Sequence, residues 1–240
     1  MNKNKPNGNM YNWITDTANP LAGECYHECV YCYVDRLKKM RPAINKKYSG
    51  EIRLSENGFK KISGKEKFIF VCDMTDLFAE DVKIDHIISI LTKCSQKPEN
   101  RYLFQTKNPG RLFDNWQLKS GEGIQILDFI PENSVIATTI ESNVSHVNYM
   151  GNTPHPNLRA EWLSMIDGFE KHITIEPIMR FDLEEFVQIL KLAKPTQINI
   201  GADTGRNNLP EPTKKEIEGL IEEIRKFSTF KLKDNMKRLF

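Results

Sequence analysis

The sequence predicts an α/β protein whose strands run parallel and curl into a barrel-like (β/α) array. Short apolar runs suited to buried strands alternate with segments of helical period along the chain. That alternation implies parallel pairing with right-handed crossovers, as a doubly wound sheet or as a barrel. Nearly every strand also runs at its C-terminal end into a polar cluster: DTANP, DMTD, TKNP, ESN, EPIMR and ADTGRNN. A barrel gathers its strand ends round one mouth, whereas an open sheet concentrates its ligands at one switch point, so six polar ends favour the barrel.

In chain order the strands are expected at 11–15 (YNWIT), 67–72 (KFIFVC), 101–105 (RYLFQ), 134–139 (SVIATT), 172–176 (HITIE) and 197–201 (QINIG). Three helices carry apolar residues at i, i+3, i+4, i+7: Ile84, Ile87, Ile88 and Leu91; Leu183, Phe186, Val187 and Leu190; Ile217, Leu220, Ile221 and Ile224. The last two open with capping-box spacing, Asp182 with Glu185 and Thr213 with Glu216. Weaker helical patterns lie at 31–40, 109–116 and 158–167. With no repeat or linker to divide it, the chain reads as one domain over 1–240, with a short N-terminal tail at 1–9 and a basic C-terminal tail at about 229–240.

A chain of 240 residues can bury a sizeable core. It has no apolar run near the ~18 residues that would span a bilayer and no leader pattern, so a cytoplasmic protein with no membrane partner is expected. Five cysteines are an odd and modest number, which argues against a disulfide framework and for a reducing compartment. The net charge of +2 implies no general affinity for nucleic acid. Charge is uneven, however: RLKKMRPAINKK, 36–47, carries six cations and no acid, and KLKDNMKRLF, 231–240, adds four against one. A solvated helix face is the ordinary explanation and a phosphate-contacting patch the alternative.

Three of the cysteines fall in ECYHECVYC, as Cys25, Cys29 and Cys32. A structural zinc site takes four ligands, normally from two separated pairs, and no second pair exists; Cys72 and Cys94 stand alone. Three closely spaced thiolates can instead hold three irons of a [4Fe-4S] cluster and leave the fourth open to an external ligand. Structural zinc and unrelated buried thiols remain the alternatives.

CYHECVYC resembles the signature of the radical S-adenosylmethionine (SAM) superfamily, C-x3-C-x-aromatic-C, with Tyr31 at the aromatic position. WITDTANPLAGEC, VCDMTDLF, FQTKNPGRL, ATTIES, ITIEPIM and INIGADTGRNNLP resemble successive landmarks of a poorly characterised, phage-associated family of radical-SAM-like proteins, over about residues 11–225. Many of that family space their first two cysteines more widely. Tyr31 and Tyr33 around the third cysteine, CDMTD and Lys107 are also similar to features of spore photoproduct lyase, a DNA-repair branch of the superfamily, although this chain is short for a full member.

The resemblance implies a partial (β/α)6 TIM-type barrel, a [4Fe-4S] cluster on Cys25, Cys29 and Cys32, SAM as cofactor and an external one-electron donor. It implies that Thr75 and Asp76 accept from the methionine amino group and that Lys107 pairs with the carboxylate. Tyr31 and Tyr33 would hold the adenine, and Thr139, Glu141 and Asn143 the ribose. Glu176, Arg180 and Asp203, at the remaining strand ends, become the substrate-pocket candidates. Cys72 is expected to be a buried small hydrophobe, with hydrogen-atom donation as its other possible role. The implied activity is SAM cleavage to a 5′-deoxyadenosyl radical acting on an unidentified substrate, with nucleic acid or a nucleotide among the candidates. A non-catalytic iron–sulfur or zinc barrel and photoproduct-lyase-like DNA repair are the alternatives.

Overall fold

The computed structural model describes residues 10–117, 121 and 123–240; the tail expected at 1–9 lies outside them. Seven strands form one all-parallel sheet in chain order: β1 (Asp16–Ala18), β2 (Phe68–Val71), β3 (Arg101–Thr106), β4 (Ser134–Thr139), β5 (Glu170–Ile175), β6 (Gln197–Ile200) and β7 (Thr229–Leu232). The main helices are α1 (Tyr33–Met40), α2 (Pro42–Lys47), α3 (Ile84–Ser95), α4 (Pro156–Ser164), α5 (Leu183–Leu192) and α6 (Lys214–Ile224). The fold class is the partial (β/α) barrel that the sequence predicts, and β1 and β7 are its two free edges.

From β2 to β6 both faces of the sheet are buried, which is why these strands read as nearly continuous apolar runs. Ile69, Tyr102, Phe104, Ile136, Ile173 and Ile198 join the core shared with Ile87, Leu91, Phe186, Leu190, Leu220 and Ile224 of the helices. The opposite face sets Phe70 beside Leu103 and Leu103 beside Val135, and farther along Thr139 beside Thr174 and Thr174 beside Asn199. Core apolar packing therefore gives way to hydroxyls and amides toward the strands' C-terminal ends.

The helix starts follow the predicted caps, with one difference. At α6 Thr213 Oγ1 accepts from Glu216 N at 3.3 Å and Glu216 Oε2 accepts from Thr213 N at 2.6 Å, a complete box. At α5 Asp182 accepts from Glu185 N at 3.1 Å, but the Glu185 carboxylate turns away to accept from Asn143 Nδ2 at 3.0 Å.

Four expectations are corrected. Residues 11–15 are not the first strand: the Tyr11 and Trp13 rings stack 5.0 Å apart and pack with Phe68 and Phe70 on the concave face, and Tyr11 Oη donates to Gln105 Oε1 at 2.6 Å. Their apolar alternation imitates a strand, while the real β1 is the polar-looking DTA. The pattern at 109–116 divides into a 3₁₀ turn, Pro109–Phe113, and a short strand, Asn115–Gln117, paired antiparallel with Gly123–Gln125. The helix expected at 158–167 is α4, which starts two residues earlier, at Pro156, and ends at Ser164. The expected basic tail contributes β7 and a 3₁₀ turn, Asp234–Arg238, because its lysines alternate with Phe230 and Leu232 at the strand period and so hide a strand in a charged run. No helix among the described residues is long and apolar enough to cross a membrane.

Candidate functional site

The C-terminal ends of the strands surround a cavity of about 590 Å³. Cys25, Cys29 and Cys32 line it after β1, Thr75 and Asp76 after β2, Lys107 after β3, and Thr139 at the end of β4. Glu176 follows β5, Asp203 follows β6 and Lys233 follows β7 on the remaining wall. Convergence at one mouth is what a curled parallel sheet imposes on residues distant in sequence.

The cysteine loop is gripped from two sides. On one, His27 Nε2 bonds Asp76 Oδ2 at 2.8 Å. Asp76 also accepts from Thr106 Oγ1 at 3.0 Å and from the backbone N–H of Lys107 at 2.8 Å and of Phe78 at 2.9 Å. Burial works to raise its carboxyl, yet His27 and these donors hold it below the usual carboxylate range. On the other side, the Cys29 thiol donates to Met150 O at 3.3 Å, Val30 N donates to Tyr149 O at 3.0 Å and Asn152 N donates to His27 O at 2.8 Å. Gly151 permits this approach: its φ is +64°, and a Cβ there would lie 2.0 Å from the His27 carbonyl oxygen.

A charged network runs inward from the cavity wall, from Lys107 and Tyr31 to the buried Glu141 and Arg159. Lys107 Nζ is 2.6 Å from Glu141 Oε1 and 2.6 Å from the Tyr31 hydroxyl, which itself donates to Glu141 Oε1 at 2.5 Å. Arg159 Nη1 reaches Glu141 Oε2 at 2.8 Å and Thr139 O at 2.8 Å. Burial works against the Glu141 charge, but Arg159 and Lys107 together hold its carboxyl far below the usual range. For Lys107 burial is likewise outweighed, with the Glu141 carboxylate among the causes, so the ammonium persists. Two cations share one carboxylate, so the network keeps one positive charge facing the cavity through Lys107.

The thiols suit an iron–sulfur cluster in kind, and all three line the one cavity. All three are free, and burial raises the Cys25 thiol to about 12 and raises Cys32 as well. Thiols held protonated by burial are ligands that a metal's positive charge would convert to thiolates. Among the described residues no three His, Cys, Asp or Glu side chains converge as ligands of a single ion. A cubane would take one thiolate on each of three irons and leave the fourth iron open to an external ligand.

A family model described as "Protein of unknown function (DUF5131)" matches residues 9–214. The chain belongs to that family. No curated protein matches it. Among solved structures, a variant of spore photoproduct lyase is similar with a TM-score of 0.62 and 11% identity, over 94% of this chain and 78% of that one. Spore photoproduct lyase complexed with dinucleoside spore photoproduct gives 0.58 and 12%, over 90% and 76%. Streptococcus suis SuiB bound to S-adenosylmethionine gives 0.50 and 10%; this chain spans 50% of its length. At such identities the likeness is one of fold. The part of the chain matched by DUF5131 holds the three cysteines and the Lys107–Glu141–Arg159 network, while β7 and Lys233 lie beyond it.

Of the residues singled out in the sequence, Tyr31, Tyr33, Thr75, Asp76, Lys107, Thr139, Glu176 and Asp203 line the cavity with the cysteines. Glu141 stands one layer behind it, and Asn143 is spent at α5, accepting from Asp182 N at 2.9 Å. Arg180 is exposed off the cavity wall, its backbone N–H donating to Pro210 O at 2.6 Å. Cys72 is buried in the cavity wall, with φ at +59°. Sequence reasoning missed Arg159, although a signal was present: Pro156, Arg159, Ala160 and Leu163 share the buried face of α4, and a cation on an apolar face requires a partner. It also missed Lys233, which pairs with Glu176 across the mouth.

Proposed function

We propose that this chain is a radical SAM enzyme carrying a [4Fe-4S] cluster on Cys25, Cys29 and Cys32. The observation that carries the reading is the meeting of three free thiols with a cationic Lys107 in one cavity at the mouth of a radical-SAM-type barrel. When bound, the cluster supplies the single electron that cleaves SAM to methionine and a 5′-deoxyadenosyl radical, after reduction by an external donor.

Each wall residue has a task in this reading. Lys107 supplies the cation for the methionine carboxylate, and the surplus positive charge of its network makes that pairing favourable. Thr75, whose hydroxyl donates to Gly23 O at 3.4 Å, keeps oxygen lone pairs for the methionine ammonium. Asp76, occupied by four protein donors, acts by holding His27 and with it the cysteine loop. The Tyr31 and Tyr33 rings are available to the adenine and the Thr139 hydroxyl to the ribose, while Glu176 and Asp203 face the space left for substrate.

Anaerobic reconstitution with iron and sulfide tests the reading. The protein should turn brown, and dithionite with SAM should release 5′-deoxyadenosine. Cys25→Ala, Cys29→Ala and Cys32→Ala should each lose the colour, while Cys72→Ala and Cys94→Ala keep it. Equal loss in all five variants would contradict the three-ligand assignment, and a brown protein that never releases 5′-deoxyadenosine would be a non-catalytic cluster-binding barrel. Because a solved spore photoproduct lyase holds a dinucleoside photoproduct, that dinucleoside is the first substrate to assay.

A further inference from the structure

We infer that the face formed by α1 and α2 is a docking surface for a single-stranded polynucleotide, which it leads into the cavity; this rests on the radical SAM reading and supplies its substrate class. The basic stretch 36–47 is folded into these two helices, and α1 starts directly after Cys32. Arg36 and Lys38 stand in the cavity wall, and Arg36 Nη1 donates to Thr204 O at 3.1 Å. A shallower groove of about 390 Å³ shares Asp35 and Lys38 with the main cavity and continues over Lys39 and Asn45. A chain leaving the mouth therefore has a continuous path between the two helices.

Over residues 33–47 six cations stand against a single acid, Asp35. Here Lys38 alone serves both Glu24 and Asp35, and the exposed Lys39, Arg41 and Lys46 are bonded to no carboxylate among the described residues. Lys47 donates to Asn19 O at 2.8 Å and leaves the path. A solvated helix face has no need of a groove opening into a cavity; a phosphate backbone uses both.

An exposed aromatic ring distinguishes a polynucleotide from other polyanions. Tyr26, 41% exposed, is carried on the cysteine loop itself, between Cys25 and Cys29. A cationic track beside an open aromatic face is the combination that holds single-stranded nucleic acid, because every base has a face to stack. An acidic peptide would use the cations and leave the ring idle.

Fluorescence anisotropy on the unreconstituted protein tests this without the cluster. The probes are labelled single strands of about twelve nucleotides, within the ~4–16 that such sites take, with oligo(dT) in one arm and oligo(U) in the other to tell deoxyribose from ribose. At least one should bind, more weakly as salt rises. In the triple variant Lys39→Gln/Arg41→Gln/Lys46→Gln the log–log salt slope should fall by about 2, at ~0.7 per lost phosphate contact, with affinity reduced about tenfold or more at low salt. Tyr26→Ala should weaken binding by about tenfold with the salt slope unchanged. The inference is overturned if neither strand binds, if the triple variant binds like the parent, or if an oligoglutamate of equal charge competes as well as the oligonucleotides. Failure to release 5′-deoxyadenosine would overturn the enzymatic reading alone, since binding is measured independently of it.

Discussion

Arg159 and Glu141 form an ion pair from which water is excluded: both side chains are fully buried, and Nη1 lies 2.8 Å from Oε2. The remaining Arg159 donors go to Thr139 O, to Pro154 O at 2.7 Å, to Thr153 Oγ1 at 2.9 Å and to Met150 Sδ at 3.8 Å, so one guanidinium ties the end of β4 to the segment that grips the cysteine loop. Arginine suits this place because its fork serves several acceptors at fixed angles, which an ammonium cannot.

Removing the carboxylate should therefore be costly. Glu141→Gln keeps the volume but leaves two buried cations without a counter-charge, and stability should fall by about 3–5 kcal/mol. Urea unfolding measures it; a loss below about 1 kcal/mol, the range of an exposed pair, would mean that water reaches the network.

Lys107→Ala is a milder change, since Glu141 retains Arg159 as a partner. The variant should keep its cluster absorbance yet bind SAM ten- to a hundredfold more weakly, corresponding to about 1.5–3 kcal/mol for one charge-assisted hydrogen bond. Calorimetric titration of the reconstituted protein decides it. Unchanged affinity would leave Lys107 as a structural partner of Glu141 only.

Gly151→Ala should separate folding from iron uptake. The added methyl meets the His27 carbonyl oxygen at 2.0 Å and must push the cysteine loop away. Gly168→Ala is the control: its φ of +81° carries similar strain, but nothing lies within 4 Å of the new Cβ. Both variants should lose about 1 kcal/mol or more. Only Gly151→Ala should also lose bound iron per chain on reconstitution, and equal iron content in the two would refute the grip assigned to 149–152.

His172 gives the fold a pH dependence far from the cysteines. Its ring lies on the concave face edge-on to Trp13 at 5.4 Å, and Nε2 bonds Glu170 Oε1 at 2.9 Å. Burial lowers its pKa, Glu170 opposes, and Lys231 and Arg101 add to the lowering. The unfolded chain therefore takes up a proton first as pH falls. The stability this group contributes is complete above its unfolded pKa of about 6.5 and is lost below it, with a slope of at most about 1.4 kcal/mol per pH unit. Denaturant unfolding between about pH 7.5 and 5.5 should show that slope in the parent and a flatter profile in His172→Gln. Parallel profiles would remove His172 as the cause.

The fold class and the three thiols were legible in the sequence because both are local signals. A strand buried on both faces must be apolar throughout, and three ligands on one short loop must be close in sequence. The caps at Asp182 and Thr213 were legible for the same reason, since a cap acts within its own first turn. What escaped was decided by packing between distant parts of the chain. Whether Tyr11 and Trp13 pair as a strand or fill the concave face depends on the neighbouring Phe68, Phe70 and Gln105, and whether a lysine-rich end is a tail or β7 depends on the open edge of β6. Glu141 followed its strand as expected, but only curvature of the sheet, together with α4, brought Arg159 and Lys107 to its two oxygens. A buried charge takes the partners that tertiary structure brings within reach, and nothing in its sequence neighbourhood names them.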